Sequence, residues 1–269
     1  YQIREDHPTM GIRDMYYKIQ PEGMGRDAFE RMCKSYQLMS KRPRNYRNTT
    51  DSSGVIRFDN LLPGLSITKI DQVWQSDISY FEVNGKFYYL TFILDAYSRR
   101  ILGHQTSERL YTEHTTLPAL QMAIKVRGKK DLQGLIFHSD GGGQYYDRAF
   151  LTVTNAQKIR NSMCEFAWEN GKAERINGVI KNNYLKHRKI NNYSDLTKEV
   201  DRSVRLYNED KPHIELHRRS PITFEKEIAY LHKRTKPRMT ESFEAIQQIY
   251  GASSPLKSER TKPQNQDVF

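Results

Sequence analysis

The chain has 269 residues and a net charge of +11, and only 37% of its residues are hydrophobic. That length fits one large domain or a catalytic domain with small appendages, and the basic balance favours a polyanionic partner, most simply nucleic acid. Two cysteines, Cys33 and Cys164, exclude a disulfide framework and a Cys-rich zinc site. No apolar run approaches the roughly 18 residues of a membrane span, and no secretory signal pattern is visible. A start at Tyr1 rather than Met reads as a processed, trimmed or frameshift-derived piece of an intracellular protein.

Residues 1–45 read as a helical module. Ile12, Met15, Tyr16 and Ile19 mark one amphipathic stretch, Pro21-Glu22-Gly23 breaks it, and Phe29, Met32, Cys33 and Tyr36 mark a second. Two short helices about a Gly-containing turn are helix-turn-helix-like, and Arg26, Arg31 and Lys34 are then candidates to meet DNA. The alternative is a structural helical pair with solvated charges. A basic run with Lys41, Arg42, Arg44 and Arg47 leads into a linker over 46–70, either tracking a DNA backbone or merely connecting.

The main domain is expected over 71–230. Asn84-Gly85 between two apolar runs is a hairpin signal, and a third strand over 100–105 follows the turn at Asp95. A helix over 112–126, capped by Thr115 or Thr116, precedes a strand over 135–138. Then come a helix over 147–157, a strand over 159–163 and a helix bearing Glu174. Three consecutive strands, then helices alternating with two more, indicate an α/β domain with a mixed five-stranded sheet. A helix over 194–209, capped by Ser194, follows. Residues 231–269 read as a basic, partly disordered tail with one helix over 241–250.

The chemistry centres on His138-Ser139-Asp140-Gly141-Gly142-Gly143-Gln144-Tyr145. An apolar strand that stops at an acid and three glycines reads as a buried strand ending at a working edge. Asp77 lies within a β-rich segment, and Glu174 stands at the start of its helix. Ile176, Val179 and Ile180 form that helix's buried face, which leaves Asn177, Gly178 and Lys181 with Glu174 on the outer one. Two strand acids and a helix acid, with Lys and Asn beside the last, suit oxygen-ligated Mg²⁺ acting on a phosphodiester. Glu169 is the rival to Glu174. Asp95 either adds a metal ligand or bonds its own turn through Ser98, and His138 either contacts substrate or is a buried strand residue.

With these residues in view, the sequence resembles the bacterial DDE transposases of the insertion-sequence IS-three group, the OrfB-type catalytic protein, whose wider relatives are retroviral integrases. The resemblance covers roughly residues 5–230. It rests on Val73-Trp74-Gln75-Ser76-Asp77-Ile78-Ser79-Tyr80, Leu94-Asp95-Ala96-Tyr97-Ser98-Arg99-Arg100, the 138–145 segment, Glu169-Asn170-Gly171-Lys172-Ala173-Glu174, and Tyr207-Asn208 with Pro212-His213 and Ser220-Pro221. Their order and spacing together are specific. The resemblance implies an RNase H-like, retroviral integrase-type core and a catalytic, metal-holding triad of Asp77, Asp140 and Glu174. It also implies Mg²⁺ (or Mn²⁺), two ions, cutting 3′ ends of an insertion sequence and joining them to target DNA.

The implied partners are double-stranded DNA, transposon ends and target alike, a homo-oligomer of at least two copies, and an upstream reading-frame product fused or associated. The implied location is the bacterial cytoplasm, at the nucleoid. Arg175, Asn177 and Lys181 become further candidates for DNA contact. Asp140 and Glu174 enclose 33 residues, shorter than the usual family spacing. A nuclease that cuts without joining, or a DNA-binding relative without chemistry, are the other readings.

Overall fold

The structure, a computed structural model, describes residues 1–40, 58–128, 132–164 and 167–230. Lys41, Arg42, Arg44 and Arg47 of the expected linker, and the expected tail helix over 241–250, lie outside the described residues. Three N-terminal helices, α1 (Gln2–Asp6), α2 (Ile12–Ile19) and α3 (Arg26–Ser35), precede five strands: β1 (Val73–Val83), β2 (Lys86–Asp95), β3 (Ile101–Ser107), β4 (Ile136–Ser139) and β5 (Arg160–Met163). Helices α4 (Thr116–Arg127), α5 (Arg148–Ala156), α6 (Gly171–Val179), α7 (Tyr193–Glu209) and α8 (Pro221–Tyr230) complete the described elements. None of the described helices is long and apolar enough to cross a membrane.

The sheet order is β3-β2-β1-β4-β5, with β1–β2 and β2–β3 antiparallel and β1–β4 and β4–β5 parallel, as the mixed five-stranded expectation requires. Asn84 and Gly85 sit at φ 50° and 79°, the left-handed pair that a two-residue hairpin turn needs to match strand twist. Side chains alternate across the sheet. Leu90, Phe92 and Leu94 face Ile176 of α6 and Leu196, Val200 and Val204 of α7. Trp74, Ile93 and Leu102 face Ala119, Leu120 and Ala123 of α4 and Phe150 of α5. Helix α4 lies so close to β3 that a Cβ at Gly103 would collide with the Ala119 carbonyl. Glycine is required there for close approach.

The N-terminal module gains α1 beyond the two helices expected, and it is fastened to the core. Met10, Ile12, Met15, Phe29 and Cys33 form its own small core. Buried His7 places Nδ1 3.0 Å from the Tyr184 hydroxyl and Nε2 2.7 Å from the Asp210 carboxylate, which Lys18 also engages. Arg202 pairs with Asp6 at 2.9 Å, and Arg188 donates to the Glu5 carbonyl at 2.7 Å.

Two expected helix caps move. Thr115 donates to the Tyr111 carbonyl and Thr116 to the Gln144 carbonyl, so neither side chain caps α4. Asn192, not Ser194, caps α7, its Oδ1 accepting from Asp195 N at 2.9 Å. The Thr115 and Thr116 hydroxyls are committed to carbonyls, and Ser194 lies inside the first turn of α7, past the cap position. At the far end of α4, Arg127 enters a buried ion cluster. It donates to Asp71 at 2.6 Å and to both Glu225 oxygens at 2.8 and 2.9 Å, with Asp95 3.4 Å away. That cluster ties α4, the end of β2 and α8 together.

Arg127→Ala leaves three buried carboxylates short of their counter-charge and is expected to cost about 3–5 kcal/mol. Gly103→Ala overpacks the α4–β3 contact and is expected to cost about 1–3 kcal/mol. Urea unfolding midpoints at constant slope measure both, and a wild-type midpoint for either variant would contradict the corresponding contact.

Candidate active site

Parallel pairing of β1 with β4 runs through Gln75 opposite His138. Asp77 and Asp140 each lie two residues further on, at the same open end of the sheet. Asp77 faces α6, where Asn177 Nδ2 donates to its Oδ2 at 2.7 Å. Asp140 opens the glycine-rich loop and accepts from Gly142 N at 3.1 Å, while its carbonyl accepts from the Tyr146 hydroxyl at 2.9 Å. Glu174 projects from the first turn of α6 and is exposed. The partial positive charge of a helix N-terminus favours a carboxylate there.

The three acids feel one another. Asp77 is pushed up to about 7, first by burial and next by the charge of Asp140, with Glu174 adding and the Asn177 amide pulling back. Burial raises Asp140 against the pull of Gly142 N, and burial then Asp140 raise Glu174. Glu169 acts by its charge on His138 and Cys164.

Several residues that hold the acids were not singled out from the sequence. Ser76 Oγ donates to the Phe92 carbonyl and lies 2.8 Å from the Tyr145 hydroxyl. The Tyr145 ring packs on Phe137 and Phe150, so the loop after Asp140 is pinned against β1. Asn170 donates to the Ser76 carbonyl at 2.8 Å and sets the start of α6 beside the strand. Both Tyr145 and Asn170 stood within the quoted motifs, and only the fold gives them partners.

Asn177 is a correction: expected on the outer face with Glu174, it is buried and turned to Asp77. Helix α6 crosses the sheet edge closely enough that a residue three positions on reaches β1. Lys181 lies in a π-helical turn, Ile180–Tyr184, with Nζ 3.5 Å from the Tyr80 carbonyl and 5.7 Å from the Tyr80 ring centre. Burial lowers its pKa and Asp77 raises it. Arg175 is exposed, 3.8 Å from Glu215.

His138 is a buried strand residue, Nδ1 2.9 Å from Ser162 Oγ, and burial pushes it down to about 4, so it is neutral. Asp95 is wholly buried and accepts from Tyr97 N, Ser98 N and Asp71 N, which leaves it a turn and network residue. Arg26, Arg31 and Lys34 are exposed on α3.

Among the described residues, no group of three or more His, Cys, Asp or Glu is so placed that it could hold a metal ion as it stands. The donors are nevertheless of the right kind. Mg²⁺ is held through one or two carboxylates plus waters and substrate phosphates rather than by an all-protein cage. Asp140 is raised by burial, and Asp77 by burial and by the Asp140 charge, a load that a hard cation would relieve.

A five-stranded mixed sheet flanked by helices, with one acid midway along β1, a second just past the end of the parallel neighbour β4 and a third on the crossing helix, is the architecture of an RNase H-like polynucleotidyl transferase core. Comparison with known proteins agrees. Residues 68–167 and 157–221 match two integrase core domain families. The insertion element IS600 31 kDa protein of Shigella sonnei is 31% identical over 223 residues, covering 80% of this chain and 81% of that one. Transposase InsF for insertion sequence IS3A of Escherichia coli K12 is 33% identical over 93 residues, 35% of this chain and 31% of that one. A chain of the simian T-cell lymphotropic virus intasome in complex with PP2A regulatory subunit B56 gamma shares the fold at 16% identity. Its TM-score is 0.50, with 93% of this chain and 81% of that one covered. The chain belongs to the DDE transposases of the retroviral integrase superfamily, and it is a DNA transposase.

Asp77 gives this site a pH signature without metal. Its folded pKa of about 7 lies above the ordinary 3.8, so its contribution to stability is complete below about pH 4 and is lost as pH rises through 7. Asp77→Asn is expected to remove that fall, stabilising the metal-free protein at pH 8 by about 2–4 kcal/mol relative to pH 4. Thermal or urea unfolding in EDTA at both pH values measures this, and parallel wild-type and variant profiles would sink the assignment.

Proposed function

We propose that this transposase cuts the 3′ ends of its insertion sequence and joins them to target DNA, with Asp77, Asp140 and Glu174 as catalytic and metal-holding residues. The observation that carries the proposal is the placement of Asp77 in register with Asp140 across β1 and β4, with Asp77 pushed up to about 7 by burial and by the charges of Asp140 and Glu174. Mg²⁺, or Mn²⁺ in its place, bound at two positions, would supply neutralising charge, activation of the attacking water or 3′ hydroxyl, and stabilisation of the leaving oxygen.

The chain's own residues hold and orient. Asp77 is the central donor, set by the sheet on one side and by Asn177 on the other. Asp140 is held by its own loop, and its carboxylate is turned by Gly142 N. Glu174, exposed on the first turn of α6, completes the donor set from the side where DNA arrives. No side chain acts as nucleophile, so no covalent enzyme intermediate forms.

Double-stranded DNA is the partner, as element ends and as target. Lys181 and Arg175 flank Glu174 and take phosphate contacts, and exposed Arg26, Arg31 and Lys34 on α3 extend the basic surface. Lys41, Arg42, Arg44 and Arg47 belong to the same reading, with 1–45 a DNA-contacting module, 46–70 a linker, 71–230 the catalytic core and 231–269 a basic tail. Recombining two ends calls for at least two copies, and an upstream reading-frame product, fused or associated, would add further end recognition.

Divalent-metal-dependent nicking and strand joining on plasmid and labelled oligonucleotide DNA test this reading. Asp77→Asn, Asp140→Asn and Glu174→Gln are expected to abolish both steps, and Glu169→Gln to retain them. Asn177→Ala is expected to slow them about 10–100-fold, as loss of a group that orients a metal-holding carboxylate does. Cutting without joined product would select a nuclease, and binding without cutting an inactive relative.

A further inference from the structure

We propose that the Tyr80 and Phe87 rings, with Lys181 beside them, form a stacking shelf for an unpaired base of the DNA, next to the catalytic edge. The inference rests on the DNA-transposase reading and adds a subsite to it. Strand β1 outruns its parallel neighbour. It pairs with β4 only from Val73 to Gln75, whereas its pairing with β2 continues to Val83. Among the described residues, no strand covers the β4 side of β1 beyond Gln75. Helix α6 and the π-helical turn run beside that edge instead. Asn170 donates to the Ser76 carbonyl, Asn177 donates to Asp77, and Lys181 Nζ lies 3.5 Å from the Tyr80 carbonyl.

Tyr80 lies three residues past Asp77, about 10 Å along the strand. Alternation puts its side chain on the other face of the sheet from Asp77, and the register puts Phe87 of β2 on that same face. The two rings meet edge to face, 5.4 Å apart at 90°, and are 52% and 51% exposed. Lys181 serves both the edge and the rings, since its Nζ is also 5.7 Å from the Tyr80 ring centre. A DNA strand that leaves Asp77 around the open edge of β1 therefore meets a cation and then two aromatic rings.

Two half-exposed rings at a right angle leave a corner. A flat base laid on one ring meets the other side-on, which is how aromatic groups pack. Ile78, two residues before Tyr80 on the same face, packs against the apolar cluster beneath α4 and α5, so the rings begin where that cover ends. Surfaces that take single-stranded nucleic acid combine such rings with cations that hold the backbone, and their stacking tolerates any sequence. A protein partner fits less well, because the buried centre of a protein interface is depleted in lysine. A paired base has both faces taken by its neighbours in the duplex, so the shelf serves DNA that is opened beside the cut.

Fluorescence anisotropy in EDTA tests the shelf apart from catalysis, with a labelled blunt mixed-sequence duplex and the same duplex carrying mismatched pairs at one end. The readout is the ratio of the two affinities for one protein, so the effect of a partly unfolded sample cancels. Wild type is expected to prefer the mismatched duplex about tenfold, and Tyr80→Thr or Phe87→Thr to bring the ratio close to one. Threonine keeps strand propensity without a ring. Tyr80→Trp retains a stacking face and is expected to keep the preference. Tyr111→Thr removes a ring that is 60% exposed elsewhere and is expected to leave the ratio at the wild-type value. The fluorescence of an aminopurine in the mismatched end is expected to fall on binding wild type and not on binding Tyr80→Thr. A wild-type ratio near one overturns the proposal, as does a Tyr80→Thr ratio equal to that of wild type. So does a Tyr80→Trp ratio near one, or a Tyr111→Thr loss as large as that at Tyr80. If Tyr80→Thr and Phe87→Thr instead split a DNA-free dimer seen by light scattering, the rings cover a second copy and the shelf falls. If wild type cuts and joins DNA while these signs are absent, the shelf fails and the transposase reading stands. If wild type binds neither duplex, both fall.

Discussion

Asp77 has to be held half-buried beside the charges of Asp140 and Glu174, which oppose its ionisation. Moving Asp77 from 3.8 to about 7 corresponds to a cost of order 4 kcal/mol when it is ionised, a large share of the 5–15 kcal/mol by which a domain is stable. Ordinary packing has to oppose that cost. Trp74 and Phe137 bury the base of β1 and β4, Tyr145 bonds to Ser76 across the strand, and Asn170 bonds to the same residue's carbonyl from the α6 side. Ser76 is therefore the position where both neighbours of the site are fixed, one residue before the acid they serve.

The rest of the fold anchors this edge from a distance. The Arg127 cluster locks the ends of β2, α4 and α8 where Asp95 closes its turn, so the strand carrying Phe92 and Leu94 cannot slide past β1. On the opposite flank, α6 runs on into the π-helical turn that ends at Tyr184, and the Tyr184 hydroxyl meets His7 of the N-terminal module. A π turn shifts the register of side chains by part of a turn. Here it lets Ile180 and Tyr184 face the core while Lys181 stays above Tyr80. The helix bearing Glu174 is thus held at both ends by polar contacts and along its length by apolar ones.

Much of this is visible in the chain before any coordinates. The Asn84-Gly85 turn, the strand that stops at Asp140 and the helical period after Glu174 are local patterns, each written in residues close together in sequence. The turn role of Asp95 is equally local, because its Oδ1 accepts from Tyr97 N and Ser98 N, two and three residues on. What local patterns do not contain is the partner of a polar group. Asn177 sits at an outer position by helical spacing and is buried because β1 happens to pass there. Ser194 has the composition of a cap, yet Asn192 has the geometry. Arg127 gives no sign in sequence that it meets Asp71 and Glu225, one of them 98 positions away. These are tertiary facts, fixed by how helices cross the sheet.

Charge is also arranged in a way that totals conceal. A net charge of +11 predicts attraction to a polyanion but does not say where it docks. In the structure Lys172 and Arg175 on α6 and Lys181 in the π-helical turn after it lie on the same stretch of chain as Glu174. A bare carboxylate cluster would repel DNA, whereas one bordered by cations lets the backbone approach along the helix. Glu174 stands at the meeting of the two fields, exposed on the first turn of a helix whose own dipole favours its negative charge. That position lets one residue act by its charge on Asp77 while the next, Arg175, stays exposed to solvent.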